Sequence, residues 1–198
     1  MSSKQDYLDA ILEKNNGVIQ SSDAVSAGIS KVYFSEYVKK KQLERVSRGV
    51  YLSGEAWADP LYFLQLRYPQ VVFSHETALY LLDLAEREPL QFTVTVKAGY
   101  NATHLRKQNI KVYQINAERY DMGIIQIPSP VGHQLNIYNA ERTICDLIRS
   151  RKNIEIQDLQ AAVKSYIGSG EKNLPLLMRY AKVFRTEKIL RQYLEVLL

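Results

Sequence analysis

Apolar residues recur along the chain with two different periods, and the changes of period mark the elements. Tyr7, Leu8, Ile11 and Leu12 fall at i, i+1, i+4 and i+5, the stripe of an amphipathic first helix. Asn15-Asn16-Gly17 ends it, because Asn and Gly accept the left-handed conformation that closes a helix. Val18-Ile19-Gln20 is long enough only for an extended entry. Ser21-Ser22-Asp23 offers an N-cap for a short second helix through Ala24, Val25 and Ala27. Gly28-Ile29-Ser30 is a turn, and Ser30 caps a third helix over about Lys31 to Lys41. Ala24 supplies a small residue where two helices cross, Gly28 the tolerance of positive φ, and Ile29 a core plug. On the third helix Phe34, Tyr37, Val38 and Lys41 share a face, with Phe34 and Val38 as the expected core pair. Leu43 to Val46 and Val50 to Leu52 alternate around Ser47-Arg48-Gly49, which predicts a hairpin. Three helices followed by a hairpin spell a winged helix-turn-helix over residues 1–54.

The remaining pattern predicts a second domain over residues 55–198, mixed α/β to residue 150 and helical from 151, so the fold class is α+β. Residues 61–67 read as a short helix that ends before Pro69. Val71 to Phe73, Gln91 to Val96, Asn109 to Ile115, Ile124 to Ile127 and Leu135 to Tyr138 read as strands. Ser74 is placed to cap a helix from His75 to Leu84, and Glu141 to Arg149 forms another. Leu159 to Ile167, Leu174 to Phe184 and Glu187 to Leu198 are three terminal helices, with Asn173 as a cap.

Charge changes this picture at one place. The chain of 198 residues carries a net +5, which alone decides nothing. Residues 31–48 hold Lys31, Lys39, Lys40, Lys41, Arg45 and Arg48 against Glu36 and Glu44, a local +4 on the third helix and hairpin. The stretch from Glu55 to Glu88 is acidic and masks this in the total, while Lys97 to Lys111 and the C-terminal helices are basic. Lys31, Tyr33, Ser35, Lys39 and Lys40 are expected on the outward face of the third helix, with Arg45 and Arg48 at the wing tip. The predicted DNA-binding set is Ser30, Lys31, Tyr33, Ser35, Lys39, Lys40, Lys41, Arg45, Ser47 and Arg48.

His75-Glu76 opens like a zincin helix, but Leu79 stands where the second histidine belongs, so His75 reads as a cap or packing residue. The three histidines at 75, 104 and 133 lie far apart, and the single Cys145 sits on an apolar helix as inert core. Glu141 and Asp146 are expected to pair with Arg142 or Arg149. Asp83, Glu86 and Glu88 are the only acids close enough for a nuclease site and read as surface. No cofactor and no enzymatic activity are expected. No apolar run approaches a membrane span and no secretory leader is visible, so a cytoplasmic protein without a membrane partner is expected.

Three blocks in order then resemble a known family. They are Gly28-Ile29-Ser30 with Leu43-Glu44-Arg45-Val46-Ser47-Arg48-Gly49-Val50-Tyr51, then Phe73-Ser74-His75-Glu76-Thr77-Ala78-Leu79-Tyr80-Leu81-Leu82, and Tyr138-Asn139-Ala140-Glu141-Arg142-Thr143-Ile144-Cys145-Asp146-Leu147. Together they resemble the AbiEi antitoxins, from about residue 4 to about residue 150. The resemblance implies a type IV toxin–antitoxin system of the abortive-infection, phage-defence kind. It implies a winged helix that binds inverted repeats in double-stranded promoter DNA and represses its own operon. It also implies a C-terminal domain that counteracts an AbiEii-type nucleotidyltransferase toxin without needing a stable complex. The alternative is a winged-helix transcriptional regulator whose C-terminal domain binds a small ligand.

Overall fold

The computed structural model describes residues 3–197. The chain divides into two compact units, residues 1–69 with 128–135, and residues 70–127 with 136–198.

The first unit begins with α1 (Lys4–Lys14), whose start is fixed by a capping box: Asp6 N–H donates to Ser3 Oγ at 3.1 Å and Ser3 N–H donates to Asp6 Oδ2 at 2.8 Å. Val18-Ile19-Gln20 is a true strand, β1 (Val18–Gln20), and not merely an entry, because it pairs antiparallel with β3 (Val50–Leu52). Helix α2 (Ser21–Ser26) begins one residue earlier than the sequence suggests. Its serines do not cap it; Asp23 in the first turn accepts the Gln20 N–H at 2.9 Å instead. Gly28 has φ +69° with open space around it, as the turn chemistry requires. Helix α3 (Lys31–Lys40) then starts at Ser30, whose Oγ accepts the Tyr33 N–H at 3.2 Å. Strands β2 (Glu44–Ser47) and β3 form the hairpin, and the sheet order is β1-β3-β2. Gly49 in the hairpin turn has φ +76°, a conformation that favours glycine, and a Cβ there would come within 2.7 Å of Ser21 Oγ, which would have to turn away.

Leu8, Ile19, Ala24, Ile29, Phe34, Tyr37 and Leu43 form the core of the three helices. The sequence expectation for α3 is corrected here. The core partner of Phe34 is Tyr37, 3% exposed, while Val38 is only half-buried. A buried tyrosine needs a partner for its hydroxyl, and Tyr37 Oη donates to Asp9 Oδ1 at 2.8 Å. Helix α4 (Pro60–Arg67) follows the hairpin; Pro60 at its first position lacks the N–H that would be unpaired there anyway. Its cap Asp59 is buried and accepts from Ser129 Oγ, with His133 Nδ1 at 2.8 Å. The His133 ring stacks on Tyr62 at 4.1 Å, and its Nε2 lies 3.2 Å from the Asn15 carbonyl.

The second unit is built on a five-stranded sheet of order β6-β5-β4-β8-β7. Its elements in chain order are β4 (Val72–Phe73), α5 (His75–Leu81), β5 (Thr93–Lys97), α6 (Thr103–Lys107), β6 (Lys111–Ile115), α7 (Ala117–Tyr120), β7 (Ile124–Pro128), β8 (Gln134–Tyr138), α8 (Ala140–Arg149), α9 (Ile156–Gly168), α10 (Leu174–Phe184) and α11 (Glu187–Leu197). Strand β4 pairs antiparallel with β5 and parallel with β8, and β5 pairs parallel with β6. The short helices α6 and α7 are absent from the sequence reading. The last position of the expected terminal helix, residue 198, lies outside the described residues. Asn139 and Asn173 cap α8 and α10, accepting from Arg142 N–H at 2.9 Å and Leu176 N–H at 3.0 Å. Ser74 does not cap α5. Its hydroxyl instead meets His75 Nδ1 at 3.0 Å and accepts from Thr95 Oγ1 at 2.9 Å.

Helix α8 is the axis of this unit, and every residue from Glu141 to Ile148 is buried. Arg142, 0% exposed, is held between the Tyr138 and Phe184 rings, 3.9 and 4.3 Å from their centroids. Its Nε donates to Asp146 Oδ2 at 2.8 Å, and its Nη1 donates to the carbonyls of Arg119 and Met122, each at 2.7 Å. Burial raises the Asp146 carboxyl pKa, which Arg142 and Arg149 oppose. Glu141 departs from the expected arginine pairing: it accepts from Tyr166 Oη at 3.0 Å and Asn173 N–H at 3.1 Å. Cys145 is fully buried, and burial pushes its thiol up to about 12.

Candidate nucleic-acid interface

The geometry of α3 decides what its polar residues can reach. With about 100° per residue, Phe34, Tyr37 and Val38 point to one side, and the opposite side is centred on Val32, Ser35, Glu36 and Lys39. All four of those residues are exposed, and Lys31 flanks them. Val32 and Glu36 are absent from the candidate set drawn from the sequence, although the same arithmetic from Phe34 and Tyr37 reaches them.

The ten candidates fall into separate groups. Lys31, Ser35, Lys39 and Arg48 are exposed and have no side-chain partner among the described residues. Lys31, Ser35 and Lys39 are spaced four residues apart and so form a single stripe. Lys40 and Lys41 face the first helix: Lys40 Nζ donates to Gln5 Oε1 at 2.9 Å, and Lys41 Nζ lies 2.8 Å from Asp9 Oδ1. The Lys41 ammonium holds the Asp9 carboxyl below its ordinary pKa. Tyr33 is half-buried with Lys4 Nζ 5.8 Å from its ring centroid. The Ser30 hydroxyl is committed to its cap. We expect Ser30→Ala to lower stability by about 1 kcal/mol. Urea unfolding would show it as a lower midpoint at an unchanged slope.

The hairpin corrects a further expectation. Arg45 is not at the wing tip; it pairs with Tyr51 inside β2, and its exposed side chain bends back so that Nε donates to the Ser47 carbonyl at 3.3 Å. A bulge between Arg45 and Ser47 shifts the register, and Ser47 Oγ is buried there without a hydrogen-bond partner among the described residues. Arg48 alone occupies the tip, beside Gly49.

Outside this surface His75 and Glu76 are tied into packing and pairing. His75, at φ +50°, is fully buried and stacked on Tyr113 at 3.6 Å, with Ser150 Oγ 3.1 Å from Nε2; burial drives its pKa well down. Glu76 pairs with Lys111 at 2.9 Å. Asp83, Glu86 and Glu88 are exposed. Among the described residues no group of three or more His, Cys, Asp or Glu side chains could hold a metal ion, and no helix is long and apolar enough to cross a membrane.

Comparison with known proteins agrees with the first unit's architecture. No curated protein matches the chain. The structure is similar to the crystal structure of the RV2827C protein from Mycobacterium tuberculosis, with a TM-score of 0.56 over 92% of this chain and 72% of that one. Identity is 13%, so the likeness is one of fold. Residues 6–54 match the family model described as "Transcriptional regulator, AbiEi antitoxin". The matched segment runs from α1 through the wing, and it is this part of the chain that is similar to the AbiEi antitoxin family of transcriptional regulators.

Proposed function

We propose that this chain is a DNA-binding autorepressor and the antitoxin of a type IV, abortive-infection system. One observation carries the DNA-binding half. An exposed stripe of Lys31, Ser35 and Lys39, with no side-chain partners among the described residues, runs along the outward side of α3, and Arg48 stands at the tip of the adjoining wing. Lysines that are not bound internally are free to replace phosphate counterions, and a helix with such a stripe fits the major groove. Phosphate contacts fix position, while base edges supply the preference for inverted repeats in its own promoter.

The antitoxin half rests on the family of residues 6–54 and on the three sequence blocks, two of which lie in the second unit. On this reading the second unit counteracts an AbiEii-type nucleotidyltransferase toxin and has no catalytic role of its own. One feature favours a second reading, a regulator whose second unit binds a small ligand. A trough of about 980 Å³ between α9 and α11 is lined by Ile156, Ala161, Ile189 and Val196, with Arg151 and Lys164 at its polar side.

Two measurements test the proposal. Purified full-length chain should shift a duplex taken from upstream of its own coding region and leave a scrambled duplex free, and a footprint should cover paired half-sites. Co-expression with an adjacent nucleotidyltransferase gene should restore growth that the gene alone arrests. Equal affinity for both duplexes removes autorepression, and continued arrest on co-expression removes the antitoxin role.

A further inference from the structure

Val32 is the residue on α3 that a purely phosphate-binding helix would not have. It is 71% exposed and lies almost opposite Phe34 and Tyr37, at the centre of the outward face. Lys31 precedes it, and Ser35 and Glu36 follow one turn on; all three are exposed. An exposed valine gains nothing from folding, and valine is a poorer helix former than alanine. Glu36, beside it, would repel a phosphate. An apolar and an acidic side chain at the middle of the face, with Lys31 at its edge and Lys39 two turns further along, match base edges flanked by backbone. In the major groove only one base edge offers an apolar group, the 5-methyl of thymine, while the cytosine amino group donates to carboxylates.

We infer that Val32 reads a thymine methyl in the major groove and sets sequence preference at that base pair, with Lys31 and Lys39 holding the flanking phosphates. The inference rests on the DNA-binding reading above and adds to it a named residue and a named base. Val32 is a specificity residue and contributes little to non-specific affinity.

The test uses full-length protein and does not need the operator in advance. Sites are selected from a random duplex pool by the wild type and by Val32→Ala, and each thymine of the selected site is then replaced singly by uracil, which lacks only the methyl. Wild type should lose about four-fold in affinity at one thymine per half-site, the value of one buried methyl group. Val32→Ala should bind the parent site about four-fold more weakly and be indifferent to uracil at that same position. Ser35→Ala, its neighbour, should keep the uracil effect. Equal uracil sensitivity in wild type and Val32→Ala overturns the inference. So does a wild type that binds with a steep salt dependence but selects no sequence, which leaves DNA binding standing. If neither protein retains any duplex at low salt, DNA binding itself fails and the inference falls with it.

Discussion

Replacing Arg142 with methionine is expected to destabilise the second unit by about 3–5 kcal/mol, the range for removing one member of a buried ion pair. The size follows from what the guanidinium leaves behind. Asp146, itself 0% exposed, keeps only Arg149, whose Nη2 lies 3.3 Å from Oδ1, and the carbonyls of Arg119 and Met122 lose their donor. Burial already raises the Asp146 carboxyl pKa, and without Arg142 it takes up a proton more readily still. Arg142→Lys should not rescue, because a point ammonium cannot reach a carboxylate and two carbonyls while lying flat between Tyr138 and Phe184. Pairing Arg142→Met with Asp146→Leu should recover part of the loss, since the orphaned charge goes with it. Chemical denaturation of the three variants measures this. A single Arg142→Met variant within 1 kcal/mol of wild type would contradict the role of the residue as the tie between α8, α10 and the segment around α7.

The second large effect is on affinity. On the proposed reading, replacing Lys31, Lys39, Arg45 and Arg48 together with alanine should abolish binding to promoter DNA near physiological salt. Counterion release gives a slope of about 0.9 per phosphate contact, so each lost contact costs about eight-fold at 0.1 M salt. The salt dependence of the dissociation constant should flatten by about 0.9 per residue that touches phosphate. Lys40→Ala and Lys41→Ala should behave differently although they are sequence neighbours of Lys39, because their ammonium groups bind Gln5 and Asp9 on α1. Their expected effect is a loss of stability below about 1 kcal/mol, the scale of a surface ion pair, with little change in salt slope. Equal slopes for the quadruple variant and wild type would remove this face from the DNA interface.

What the sequence revealed and what it hid separate by the range of the interaction. Ser30 as cap, Gly28 in its turn and Asn173 at the start of α10 follow from neighbours within four residues, and each is found in place. The periodicity of α3 does not separate Tyr37 from Val38, because the deciding contact, Tyr37 to Asp9, lies 28 residues away. The burial of Arg142 has no local signal at all: its partners include carbonyls 20 and 23 residues earlier and a phenylalanine on α10. The turn at Ser47-Arg48-Gly49 is where the alternating pattern puts it, but Arg45 pairs with Tyr51 inside the strand before it, and the register shift between Arg45 and Ser47 is not announced by that pattern. On the candidate surface, charge drew the eye to lysines, and helical geometry then divided them into free and engaged. It also exposed Val32 and Glu36, which charge alone passes over.

The pairing of Asp59 with Ser129 and His133 also sets a timetable for synthesis. The first unit takes residues 128–135 from far down the chain, so its last piece leaves the ribosome sixty-six residues after Pro69. At 5–20 residues per second that is a wait of roughly 3–13 s. During it the α4 cap waits with its second carboxylate oxygen unmatched, and Tyr62 lacks the imidazole that will stack on it. A nascent chain stalled before residue 128 therefore carries a winged helix whose adjoining α4 is incomplete. Protease susceptibility around α4 should fall abruptly once His133 has emerged.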